Sequence, residues 1–222
     1  MGRPTSEQRQ ITMSVTAMSV TTMSVTAMSF NIEEVGADRF PEYGAVPNWF
    51  EVRRVFRVDV VDGGLRGFGL VEEPVAERFI RDYDDHHEDS PTVWARDFDV
   101  SRWGILLACE GGRPVGAAAV TPDAPVYPMD RFQREDLAVL WDIRVHPEHR
   151  RRGIGSRLFR SAVDWARAAG CGQMGLETDS GNVAACRFYA RQGCELGAIH
   201  RFGYIGVPDV ARYAMLLWYI DL

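Results

Sequence analysis

The sequence predicts an α/β domain, a mixed sheet flanked by helices, over residues 30–222. Three observations predict it. Runs rich in β-branched and apolar residues recur between glycine turns, most plainly in Trp103–Cys109, the turn Glu110-Gly111-Gly112, and Pro114–Thr121, which read as a hairpin. Two stretches with helical spacing, Ser156 to about Ala169 and Gly181–Gln192, each follow a strand-like run. The first is joined to its strand by a bend built from Pro147, three arginines and Gly153-Ile154-Gly155.

Taken in order, the first strand is Phe30–Val35. An irregular stretch containing Pro41 and Pro47 leads to a strand over Phe50–Val61, where Val52, Val55, Val58 and Val60 recur among arginines. Asp62-Gly63-Gly64 is a turn, and Gly67–Glu72 returns as a hairpin partner. After the 103–121 hairpin, Ala138–Val145 is the long central strand. The helix that follows places Leu158, Ala162, Trp165 and Ala169 on one face. Gly172–Thr178 is the next strand, Gly181–Gln192 the next helix, and Glu195–Ile205 with Tyr213–Tyr219 complete the sheet. Along the central strand, alternation sets Asp142 opposite Trp141 and Ile143.

Residues 1–29 differ from all of this. Met13-Ser14-Val15-Thr16-Ala17 repeats as a five-residue unit from Met18 and again from Met23. A period of five matches neither helix nor strand, so the segment reads as a disordered low-complexity tail, and Met28 is a plausible start of the folded domain.

Composition narrows the function. With 222 residues and 46% hydrophobic content, the chain can bury one large core. The net charge of −6 argues against nucleic acid as a partner. All 25 basic residues are arginine, which excludes lysine Schiff-base chemistry and pyridoxal-phosphate anchoring. The four cysteines form no CxxC pair, which suits a cytoplasmic protein, and no apolar run approaches a membrane span. His86 and His87 lack the spacing of metal ligands, and no metal is expected.

The central bend carries the chemistry. Arg150-Arg151-Arg152-Gly153-Ile154-Gly155-Ser156 opens a helix, where backbone N–H groups and the macrodipole favour an anion, and glycine lets a ligand approach the backbone. The bend lacks Gly-Lys-Ser/Thr and the Gly-x-Gly-x-x-Gly spacing, so it is neither a nucleotide-triphosphate loop nor a dinucleotide site.

Arg150-x-x-Gly153-x-Gly155, followed by Asn182-x-x-Ala185-x-x-Phe188-Tyr189-x-x-x-Gly193-Cys194, resembles the GNAT N-acetyltransferase superfamily. The run from Leu176 to Tyr189 and the ending Met215–Tyr219 resemble streptothricin acetyltransferases most closely. Cys194 departs from the usual Phe at its position. The resemblance implies a mixed, mostly antiparallel sheet splayed at its central strands to admit pantetheine. It implies acetyl-CoA as cosubstrate, held by Ile143, Arg144, Val145, Arg150, Arg151, Arg152, Gly153, Ile154, Gly155, Ser156, Asn182 and Tyr189. Asn182 would also cap the second helix, and Gly193 would end it.

Thioester-to-amine transfer needs a proton for the leaving thiolate, a donor to the carbonyl oxygen and a neutral amine. The resemblance places Tyr189 beside the sulfur as the acid, and the Val145 N–H is the candidate carbonyl donor. Asp142 ranks first as the base and Glu177 second, with Asp179 also in reach; each could instead only attract a cation. The run Asp82, Tyr83, Asp84, Asp85, His86, His87, Glu88 and Asp89 reads as a solvated loop or as an acidic lip for a polycationic acceptor. The expected acceptor is a small-molecule amine, with streptothricin-type resistance as the leading reading and a homodimer compatible with it. N-terminal acetylation of ribosomal-type proteins and a non-catalytic acyl-CoA sensor are the alternatives.

Overall fold

The computed structural model describes residues 30–85, 90–122 and 134–222. The repeat tail, Met28 and the run from His86 to Asp89 lie outside the described residues. Among the described residues, nine strands form two sheets: β1 (Asn31–Val35), β2 (Trp49–Val60), β3 (Phe68–Asp82), β4 (Gly104–Glu110), β5 (Arg113–Thr121), β6 (Leu137–Val145), β7 (Gln173–Asp179), β8 (Glu195–His200) and β9 (Met215–Asp221). Four α-helices accompany them: α1 (Phe40–Gly44), α2 (Pro91–Asp97), α3 (Ile154–Ala168) and α4 (Val183–Arg191). The large sheet runs β1-β4-β5-β6-β7-β9-β8, and β2 pairs only with β3.

Every pairing is antiparallel except β6 with β7, and that one is brief. Leu137, Ala138 and Val139 face Gln173, Met174 and Gly175, after which the ladder ends. Beyond it, β6 continues to Val145 bonded only to β5, and β7 continues to Asp179 bonded only to β9. The sheet therefore opens at its centre, the splay that the resemblance implied.

Both faces of the sheet are covered. In β4, Leu106 and Ala108 point to the α3 side, while Ile105, Leu107 and Cys109 point to the side of α1 and α2. Helix α3 buries Ile154, Leu158, Phe159, Ala162, Val163 and Ala166. Gly116 on β5 permits the close approach, because a Cβ there would lie 2.9 Å from both Ile154 Cγ2 and Leu158 Cδ1. Ala169 is exposed and Trp165 only half-buried, so the buried stripe is rotated from the one expected. The helix also begins at Ile154, two residues early, since a glycine N-cap gives no side-chain signal.

Alternation along β6 fails at one point. Ala138 and Leu140 pack on the α3 side, as do Ile143 and Val145, but the register slips opposite Ala119 and Val120. Trp141 enters the aromatic cluster of Trp94, Phe98 and Trp103 on the opposite face, and the bulge keeps Asp142 on that face too, beside Tyr43. Trp141 and Ile143 thus lie on different faces, and the expectation that Asp142 stands opposite both is corrected: a β-bulge breaks the period of two.

Other differences are local. Strand β3 runs ten residues past Glu72, through Pro74 and a register shift that leaves 75–78 unpaired opposite Arg53. Strand β8 stops at His200, and residues 201–213 are turns and irregular backbone rather than strand. Helix α1 lies in the stretch expected to be irregular, and α2 in one for which no element was expected. The α2 start was legible, since Ser90 caps it and Pro91 takes its first turn. No helix among the described residues is long and apolar enough to cross a membrane.

Candidate active site

The opening between β6 and β7 collects the sequence-predicted residues from two sides. On the α3 side, Gly153 sits at φ 83° as the helix N-cap, a left-handed conformation that glycine adopts without strain. Arg151 is also left-handed, at φ 66°, and its side chain is exposed. Gly155 packs against the C-terminus of β6 and against α4, where a Cβ would meet Val145 at 3.5 Å and Phe188 at 3.6 Å. Ser156 accepts a hydrogen bond from Gln192 at the end of α4 (3.2 Å). The helix N-terminus, the strand end and α4 thus converge, a fit for a diphosphate at the bend and a narrow chain in the splay.

The three arginines do not act alike. Arg150 donates through Nε to the Val145 carbonyl (3.0 Å) and through Nη2 to the Trp49 carbonyl (2.6 Å), and burial lowers its pKa. Arg152 is drawn sideways to Glu110, with Nη2–Oε1 at 2.6 Å, and touches His149. Glu110 is lowered by the same hydrogen bond. Arg144 points away from the bend entirely.

The bonding of β6 also orients Val145. His146 N donates to Val115 O across the β5–β6 pair (2.9 Å). Because bonded edges alternate along a strand, the N–H of Val145 faces away from β5 and into the opening.

Helix α4 brings in Tyr189. Asn182 caps the helix by accepting from Ala185 N (3.0 Å), and Gly193 at φ 95° ends it, as expected. Tyr189 is only 8% exposed and packs against Phe159 and Phe188. Its hydroxyl has no hydrogen-bond partner among the described residues. Burial raises its pKa well above the ordinary tyrosine range, with negative charge at Asp142, Cys186, Cys194 and Glu177 adding to the rise. Asp142 on β6 and Glu177 on β7, the strands that border the opening, are both among the charges that raise it. Cys194 is buried in the same core, which pushes its thiol up to about 11.

The other face of the opening is polar. Asp142 accepts from Tyr43 Oη (2.7 Å), Asn48 Nδ2 (3.2 Å) and Arg144 Nε (2.8 Å). Arg144, 3% exposed, continues to Asp84 (2.9 Å) and the Val46 carbonyl (3.2 Å). Burial opposes its charge, but Asp142, Tyr43 and Asp84 raise its pKa on balance. Asp84, itself partly exposed, is therefore paired with a buried arginine rather than free at a lip. A second network joins β3 to β7: Asp179 accepts from Arg81 (2.7 Å), Tyr83 (3.0 Å) and the Gly181 N–H (2.8 Å), while Asn182 donates to Tyr83 (3.2 Å). Glu177 is exposed and accepts from Tyr204. Tyr43, Asn48, Arg81 and Tyr204 carried no signal in the sequence, because their partners lie on distant segments.

Comparison with known proteins follows this geometry. Residues 70–194 match the acetyltransferase (GNAT) family. A streptothricin acetyltransferase of Escherichia coli is 30% identical over 172 residues, covering 78% of this chain and 85% of the relative. Streptothricin acetyltransferase A of Bacillus subtilis (strain 168) is 36% identical over 83 residues, 37% of this chain and 47% of the relative. Among solved structures, a Bacillus anthracis str. Ames chain assigned as a streptothricin acetyltransferase, in complex with acetyl coenzyme A, superposes with a TM-score of 0.67 at 21% identity. That match covers 88% of this chain and 99% of the other.

Proposed function

Because the chain belongs to the acetyltransferase (GNAT) family and is an acetyl-CoA-dependent N-acyltransferase, we propose that its acceptor is an amine on a small, positively charged molecule of the streptothricin type. What supports this reading is the opening between β6 and β7, which carries Asp142 on one bordering strand and Glu177 and Asp179 on the other. The streptothricin acetyltransferase of E. coli, similar over most of both chains, supports the choice of acceptor class.

Acetyl-CoA supplies the activated acyl group. Gly153, Ile154, Gly155 and Ser156 would hold its diphosphate at the start of α3, with Arg150 and Arg151 adding positive charge. The strand end Ile143–Val145 lines the pantetheine path, and the Val145 N–H is turned toward the acyl carbonyl. Tyr189 keeps its proton at neutral pH and delivers it from Oη to the leaving sulfur.

Glu177 takes the proton from the acceptor ammonium, because its carboxylate is exposed toward the face the acceptor enters. Asp142, already holding three donors, attracts the cation without moving a proton. Arg81 offsets Asp179, and Arg144 offsets one of Asp142 and Asp84. Glu177 and one net charge of the Asp142 network remain to favour a cation. We place the activity in the cytoplasm, a compartment that suits four buried cysteines outside any disulfide.

Thiol release from acetyl-CoA, measured with streptothricin, an aminoglycoside, a polyamine and neutral N-terminal peptides, tests the reading. Streptothricin should give the highest kcat/KM. A neutral peptide reacting best would replace it with protein N-terminal acetylation.

A further inference from the structure

Where the β2–β3 ladder breaks, at residues 75–78, the hairpin and the residues just before β9 border a cavity of about 630 Å3. That volume suits part or all of a small molecule. Val55, Val75, Phe79 and Tyr213 give it an apolar wall. The cavity adjoins the opening between β6 and β7. Tyr213 faces Gly181, where a Cβ would lie 2.8 Å from its Cζ, and its ring carries the Arg81 guanidinium at 5.2 Å. Arg81 in turn holds Asp179 (2.7 Å) at the end of β7. Phe56, also on the cavity wall, donates its N–H to the Ser180 carbonyl (2.8 Å). One ring and one ion pair thus separate the cavity from the edge of the opening.

The charged groups on the cavity decide what fits it. Arg57 is neutralised by Glu73 (2.6 Å). Glu77 is exposed and forms no ion pair among the described residues. Arg212, also exposed, has no carboxylate partner among them either, and its guanidinium lies over the rings of Phe79 (5.4 Å) and Tyr213 (4.9 Å). These two ring faces therefore already receive a cation, and a ligand cation can take the same place while Arg212 turns to solvent. Glu77 would be its counter-charge. We propose that this cavity binds a second cationic group of the acceptor, an ammonium or guanidinium remote from the amine that reacts at the opening. The proposal rests on the reading of the acceptor as a small, positively charged amine. It adds a requirement: two positive groups on a molecule long enough to reach past Asp179 and Arg81. A compact monoamine would occupy the opening and leave the cavity empty.

Steady-state kinetics at saturating acetyl-CoA compares wild type with Glu77→Gln, Phe79→Leu, their double variant and Arg212→Ser. The acceptor is streptothricin or, where another member of the panel gives wild type a higher kcat/KM, that molecule. Glu77→Gln and Phe79→Leu should each raise the acceptor KM by about 2- to 5-fold, and together by about 10-fold. Their kcat, KM for acetyl-CoA and melting temperature should not change. The Glu77 effect should shrink at high ionic strength. Arg212→Ser removes the competing guanidinium and should lower the acceptor KM. A wild-type acceptor KM in the double variant, an equal loss for acetyl-CoA, or a raised acceptor KM in Arg212→Ser overturns the subsite and leaves the acceptor class standing. A wild type that prefers an amine with a single positive charge overturns the acceptor class, and the subsite with it.

Discussion

The two sides of the opening are built on different principles. The proposed acetyl-CoA side is nearly continuous in sequence: the end of β6, the bend and the first turn of α3 span Ile143–Ser156, and α4 adds Asn182 and Tyr189. The acceptor side is assembled from five separated segments, which contribute Tyr43 and Asn48, Arg81 to Asp84, Asp142 and Arg144, Glu177 and Asp179, and Tyr204. Backbone groups at a strand end and a helix N-terminus make the first side, so its chemistry follows from local conformation. Side-chain networks across the fold make the second, so its chemistry follows from packing. Changes on the first side should act on activity with little cost in stability, whereas changes on the second should couple the two.

The largest effect is expected at the junction of the sides. Tyr189→Phe preserves the ring and its packing, and removes only the phenolic proton. If this hydroxyl is the acid, kcat should fall by about 10²- to 10⁴-fold with acetyl-CoA affinity retained. Because the Tyr189 pKa is raised, its neutral donor form persists above the pH where an ordinary tyrosine ionises. Any alkaline fall in wild-type kcat below pH about 10 should therefore persist in the Phe variant. An unchanged kcat in a variant whose chemistry limits turnover would remove Tyr189 from the mechanism.

Next in size is the loss of Arg144 from the acceptor side. Arg144→Met removes a 3%-exposed cation and leaves Asp142 and Asp84 facing one another without it. Breaking such a pair costs about 3–5 kcal/mol, so the midpoint of urea unfolding should drop sharply. A near-wild-type midpoint would mean that the network is dispensable and the contrast between the two sides is false.

Gly153→Asp probes the other side. Its backbone is left-handed and no atom lies within 4 Å of the place a Cβ would take, so the cost is limited to conformational strain of about 1 kcal/mol. Its carboxylate would sit where the cofactor diphosphate is proposed to bind, and acetyl-CoA affinity should fall by about 10-fold or more by calorimetry. Equal affinity in the folded variant would show that the bend does not hold the diphosphate.

This contrast also explains what could be read from the chain. The bend, the Asn182 cap and the Gly193 stop were legible because each depends on a few neighbouring residues. The bulge at Trp141 was not, since it arises from a register slip against β5 that no periodicity in β6 announces. Arg144 was expected to help hold the cofactor, yet its side chain lies in the acceptor network, because the face it takes is set two residues past that bulge. Residues 75–78 hide the length of β3 in the same way, by interrupting its alternation. Tyr204 had no local signal at all: its hydrogen bond to Glu177 is visible only once β9 places Leu217 beside Glu177.

The smallest effect is expected at Asp84, where sequence and structure diverge most usefully. As part of an acidic lip, its loss would weaken the apparent binding of a polycationic acceptor in a salt-dependent way. In the structure its carboxylate accepts from Arg144 and from the Asn48 N–H, and its charge is spent on that pair. Asp84→Asn retains a carbonyl oxygen for one of these bonds and leaves Arg144 with Asp142. The expected result is a destabilisation of about 1 kcal/mol, an acceptor KM changed by less than about 3-fold and little response to ionic strength. An acceptor KM raised by about 10-fold or more, with the rise shrinking in high salt, would show that Asp84 addresses the acceptor directly. The acceptor side would then act through charge at its mouth, as the acid run first implied, more than through the network that orders its walls.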